Sequence, residues 1–189
     1  MDGQGAVRTV MGLDLVTMRF TTLAPMITAR WLHATAVLDG KLFVMGGFSD
    51  DGAYLSSVEC LNLETGQRSE MAPMITARDQ HGAAVLGGKI YVAGGFPLDT
   101  VGTLVESFDA ATNQWTAEAP MNTPRCSHGL VSAQGKLFAV GGLDIQDVNK
   151  QLRFGRYLKM HAMILCVADP LVLLGMCRYH HCPSQVIAY

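Results

Sequence analysis

The chain has 189 residues, with 14 basic and 16 acidic side chains and a net charge of -2, so it carries no cationic footprint for nucleic acid. Hydrophobic residues make up 49% of it, enough for a packed core, and no basic-then-apolar opening reads as a secretory leader. Five irregularly spaced cysteines form no disulfide framework, which favours reduced thiols and a cytoplasmic location.

Residues 1–29 are legible only by comparison with the repeats downstream. Asp2-Gly3 looks like Asp51-Gly52, and Leu13 to Phe20 align residue for residue with Leu61 to Arg68. This segment is expected to supply the last two strands of a repeat unit. From residue 30 onward one pattern recurs three times. Arg30-x-x-His33 leads to Gly46-Gly47, Arg78-x-x-His81 to Gly94-Gly95, and Arg125-x-x-His128 to Gly141-Gly142. The arginines stand 48 and then 47 residues apart. A fixed period of this size marks a supersecondary module that buries its apolar face only against its neighbours.

Within each unit the elements come in a set order. A strand of small and apolar residues is first, as in His81 to Leu86. A Gly-containing tight turn (Asp39-Gly40, Gly87-Gly88, Gln134-Gly135) joins it to a second strand that is apolar throughout, as in Leu42 to Met45. An unbroken apolar run suggests a strand covered on both faces. After the double glycine and a variable loop come a third strand (Val58 to Asn62, Val105 to Asp109) and a short fourth strand carrying Trp115 or, at the matching position, Arg68. Ala-Pro-Met then closes the unit at 24–26, 72–74 and 119–121. Strands are predicted near 32–38, 41–46, 57–63, 67–70, 80–86, 89–94, 104–109, 114–117, 127–133 and 136–141.

The double glycine, the Phe108-Asp-x-x-Thr-x-x-Trp115 stretch and the Pro-Met-x-x-x-Arg junction resemble the kelch repeat, the blade of a β-propeller. The resemblance implies an all-β, incomplete propeller. Its divisions are 1–29 as the last half of a blade, 30–77 and 78–124 as full repeats, and 125–144 as the first half of another. Residues 145–189 are a non-repeat tail. Strands then number two, four, four and two, too few to close a ring of about four to eight blades. Such an arc belongs to a fragment, a splice form or a truncated product, and it should associate with itself through its open edges. The complete blades are expected to meet through Leu42, Val44, Ile90, Val92 and Trp115. Arg68, lacking the area of a Trp, should leave its blade less well packed.

Three recurring histidines are better suited to structure than to catalysis, because a catalytic base is needed once. In kelch propellers the recurring arginine starts the innermost strand and can face the central mouth, where converging guanidiniums would suit acidic or phosphorylated peptides. Residues that differ between copies carry specificity. They are Trp31, Asp79 and Cys126 after the arginines, and Phe48, Phe96 and Leu143 after the double glycines. The candidate contacts are Trp31, Phe48, Asp79, Phe96 and Cys126 with Arg30, Arg78 and Arg125.

The tail's Cys177-x-x-His180-His181-Cys182 fits no four-ligand zinc spacing, and Asp169-Pro170 interrupts the apolar run of 160–177 that could otherwise span a membrane. No phosphate loop or nucleophile elbow appears, so neither an enzyme nor a cofactor site is expected. The resemblance implies a protein-binding module, like the substrate-recognition propellers of BTB-BACK-kelch adaptors of cullin-RING ubiquitin ligases. No BTB or BACK region is legible in these residues. The alternatives are an actin-binding kelch protein and a non-functional truncated isoform.

Overall fold

The computed structural model describes residues 5–144 of the chain. The Asp2-Gly3 match, the tail at 145–189 and its Cys/His cluster lie outside the described residues. The described chain is all-β apart from one short helix. Its strands are β1 (Val10–Asp14), β2 (Arg19–Leu23), β3 (Ala34–Leu38), β4 (Lys41–Met45), β5 (Val58–Asn62) and β6 (Arg68–Met71). Next come β7 (Gly82–Leu86), β8 (Lys89–Ala93), the helix α1 (Leu98–Val101), β9 (Val105–Asp109), β10 (Gln114–Glu118), β11 (Gly129–Ala133) and β12 (Lys136–Val140). They form antiparallel meanders of two, four, four and two strands: β1-β2, β3-β4-β5-β6, β7-β8-β9-β10 and β11-β12.

The hairpins arise from local chemistry. Asp39 and Gly40 both take positive φ (49° and 68°), the two-residue turn whose twist matches that of the flanking strands. Gly87-Gly88 and Gln134-Gly135 repeat it. The turns set register, so Lys41 pairs with Leu38 and Asn62, and Lys89 with Leu86 and Asp109. The helix was not legible in the sequence. It begins at Leu98, directly after Pro97, whose backbone is extended, and buries Leu98 and Val101 in the second variable loop.

The core lies between sheets. One cluster joins the first complete blade to the second, with Phe43, Met45, Val58 and Cys60 against Ile90, Val92 and Phe108. The rings of Phe43 and Phe108 meet edge to face at 5.8 Å, and Trp115 packs on Phe108 at 5.0 Å. Leu42 and Val44 are not in this cluster, which corrects the expected packing. They face the other way, with Leu61 and Met26, toward Val10 and Leu23 of the β1-β2 half-blade. Leu42 is the repeat-equivalent of Ile90 and Val44 that of Val92, and equivalent positions in a head-to-tail stack point in the same direction. Equivalent residues of the second strands therefore face different seams. A third cluster joins Ala84, Ala93 and Tyr91 to Leu130, Leu137 and Ala139 of the last half-blade.

Arg68 fills the position of the missing Trp, with its Nε buried and unpartnered. Its side chain is 7% exposed, and its guanidinium donates to the Ala24 carbonyl at 2.7 Å. Trp115 donates Nε1–H to the repeat-equivalent Ala72 carbonyl at 2.8 Å. Arg68 thus keeps the bond that Trp makes, and its aliphatic stem substitutes for part of the ring.

Candidate functional site

The recurring arginines turn into the protein. Arg30 and Arg78 are 1% and 0% exposed. Arg30 donates to the carbonyls of Gly46 (2.7 Å) and Ser57 (3.0 Å) and pairs with Glu59 at 2.7 Å. Arg78 donates to the carbonyls of Gly94 (2.9 Å) and Leu104 (3.0 Å) and pairs with Glu106. Each glutamate also caps two backbone amides of the preceding junction: Ile27 and Thr28 on Glu59, Ile75 and Thr76 on Glu106. The guanidinium forks lock strands within one blade, and the two glutamate caps tie that blade to the preceding junction. This overturns the expectation that Arg30 and Arg78 present guanidiniums to a partner. The glutamates went unnoticed as functional partners, although they stand 29 and 28 residues beyond their arginines. Arg125 is half-buried, holds the Gly141 carbonyl at 2.8 Å, and has no carboxylate among the described residues.

The double glycines and the histidines form the other half of each seam. A Cβ on Gly46 (φ +61°) would lie 2.5 Å from the Arg78 carbonyl and 2.8 Å from the His81 ring. Gly94 stands in the same relation to Arg125 and His128. Only a residue without a side chain lets the next blade come this close. His81 and His128 are buried and His33 half-buried. Burial, aided by Arg30, pushes His33 down to about 4; burial, aided by Arg125, does the same to His128. His81 lies well below its ordinary value through burial and then Arg78. Neutral, interior imidazoles are structural parts of the stack.

Beside these seams lie the positions that vary between copies, brought together in pairs by short bridges. Trp31 pairs with Phe48, Asp79 with Phe96, and Cys126 with Leu143. Each pair exchanges two backbone hydrogen bonds, such as Phe48 N to Trp31 O at 2.9 Å and Phe96 N to Asp79 O at 2.9 Å. Asp79 and Cys126 have buried side chains, so they are not direct surface contacts. Burial raises the Asp79 carboxyl to about 7, and Oδ1 finds no hydrogen-bond partner. The Cys126 thiol is likewise pushed up, to about 11, which makes it a poor nucleophile.

The aromatic members are half-buried and contiguous. Trp31 and Phe48 lie 6.3 Å apart between centroids, Phe48 and Tyr54 5.0 Å, and Tyr54 and Phe96 6.1 Å. This run crosses from the first complete blade to the second. Tyr54, which bridges the two blades, sits in a variable loop, and no repeat of its position marked it in the sequence. Among the described residues no group of His, Cys, Asp and Glu could hold a metal ion.

A family model described as the KLHDC2/KLHL20/DRC7 Kelch-repeats domain matches residues 2–164. No curated protein matches the chain.

Proposed function

The chain belongs to the kelch-repeat family, whose propellers are protein-interaction modules, and we propose that it recognises a protein through the aromatic run of its loop face. The supporting observation is the continuous series Trp31, Phe48, Tyr54 and Phe96, half-buried and held on paired backbone at the ends of rigid blades. Rigid aromatics give large contact area at low ordering cost and are typical interface anchors. Arg125 adds a partly open cation for an acidic group on the partner. As a finer reading, the partner is a substrate of a cullin-RING adaptor of the BTB-BACK-kelch type.

The test is comparative capture. The whole chain, a Trp31→Ala/Tyr54→Ala variant and a chain without residues 145–189 are used as baits, each first checked for an unchanged melting profile. Loss of the captured proteins by the aromatic variant alone supports the loop face. Loss on tail removal alone, with the aromatic variant still binding, overturns it. Recovery of a cullin with the full gene product favours the adaptor reading, whereas co-sedimentation with filamentous actin favours a cytoskeletal one.

A further inference from the structure

The two ends of the arc are halves of the same object. β1-β2 aligns with the last two strands of a complete blade, and β11-β12 with the first two. In complete blades β4 pairs with β5 and β8 with β9, yet among the described residues β12 pairs only with β11 and β1 only with β2. Among the described residues each open edge therefore lacks the strand that the other end carries. We propose that two copies of this chain mate through these ends, β12 of one against β1 of the other, and close a six-bladed ring. This goes beyond the loop-face reading and involves none of its aromatic residues.

The number of copies comes from counting. The twelve described strands, at four per complete blade, make three blades' worth. Closed propellers hold about four to eight blades, and two copies are the only multiple of a three-blade arc in that range.

The repeat dictates the register. Transferring the β8–β9 pairing places Lys136 opposite Asp14 of the second copy, as Lys89 is opposite Asp109. Leu137 meets Leu13 and Val140 meets Val10. Phe138 falls opposite Gly12, as Phe43 falls opposite the small Cys60. The same step covers the apolar side chains now in solvent. Val131, Phe138 and Val140 are 47%, 44% and 61% exposed, and their repeat-equivalents in the first complete blade, Ala36, Phe43 and Met45, are buried against the next blade. At the other end Met11 and Phe20 are 46% and 55% exposed.

The inner seam gives independent support. Gly46 and Gly94 are crowded by the Arg-x-x-His of the next blade, whereas a Cβ on Gly141 would meet nothing within 4 Å. Gly47 N donates to Arg78 O and Gly95 N to Arg125 O, which assigns Gly142 N to Arg30 O of the second copy. Likewise Gln80 N donates to Leu32 O and Ser127 N to Gln80 O, which leaves Leu32 N for the partner's Ser127 carbonyl.

One position departs from the pattern and supplies the test. Met11 stands where complete blades have Glu59 and Glu106, so the mated blade lacks the carboxylate that Arg125 would hold. Met11→Glu should therefore tighten the dimer, by about tenfold or more at each of its two interfaces. A merely sticky surface would respond in the opposite sense, because the change removes an exposed apolar side chain.

The experiment is sedimentation of the whole chain across micromolar concentrations. The expected result is a discrete species of twice the 20.4 kDa chain mass with nothing larger, tightened by Met11→Glu and reduced to monomer by Phe138→Asp. A monomer throughout, an open ladder of higher oligomers, or weaker association of Met11→Glu overturns the proposal. If Phe138→Asp fails to fold, Met11→Glu still decides. Loop-face capture is scored on separate variants, so failure of either reading leaves the other standing.

Discussion

A buried guanidinium with all three nitrogens engaged is a fastener, and its removal leaves a carboxylate without that partner. Arg78→Ala should lower stability by about 3–5 kcal/mol, because Glu106 would then be a buried, uncompensated charge. Urea unfolding checks this, and any loss of partner binding should track the folded fraction. Asp79 has the opposite logic. Its carboxyl keeps its proton in the folded chain up to about pH 7, whereas the unfolded chain releases it near 3.8. The folded state therefore binds more protons in that window, and this group makes stability fall as pH rises from about 4 to 7. Asp79→Asn should remove that slope and melt higher than the parent at pH 8. No gain at alkaline pH would mean that the carboxyl has found a partner.

Strands and turns were legible because their signals are local: alternation, apolar runs and Asp-Gly turns lie within a few residues of the structure they specify. What lay hidden was which face of a strand meets which neighbour. Leu42 and Ile90 are both apolar and both buried, and only the head-to-tail stacking of blades decides that they face different seams. The seams make two predictions. Ala at Gly46, Gly94 or Gly141 pays the same left-handed strain, about 1–2 kcal/mol. In the single open arc only the first two also push a Cβ into the next blade's backbone, so at concentrations where the chain is monomeric Gly46→Ala and Gly94→Ala should melt lower than Gly141→Ala. The histidines of the seams stay neutral when folded and take protons near pH 6.5 when unfolded. Stability should thus decline on acidification from about 6.5 to 4. Three imidazoles outweigh the single contrary carboxyl of Asp79, so the denaturation midpoint measured at pH 5 should lie below that at pH 7.

At the scale of the molecule, an arc of partial and complete blades could be counted from the repeats alone. The inward turn of Arg30 and Arg78 could not, since their carboxylates sit nearly thirty residues away on another strand and the recurrence of an arginine says nothing of its direction. The aromatic run was half legible: Trp31, Phe48 and Phe96 stand at marked positions, and Tyr54 joins them only in space. The series of amides that steps from Ser127 to Gln80 to Leu32 has a direction, with a donor left over at one end and an acceptor at the other. Solvent hydrogen reads that direction. The Gln80 and Ser127 amides should exchange slowly, and the Leu32 amide quickly, in any preparation where the arc stands open. Dilution then becomes a clock, because a Leu32 proton that slows with concentration, while its two counterparts stay constant, reports when the last gap in the series has been filled.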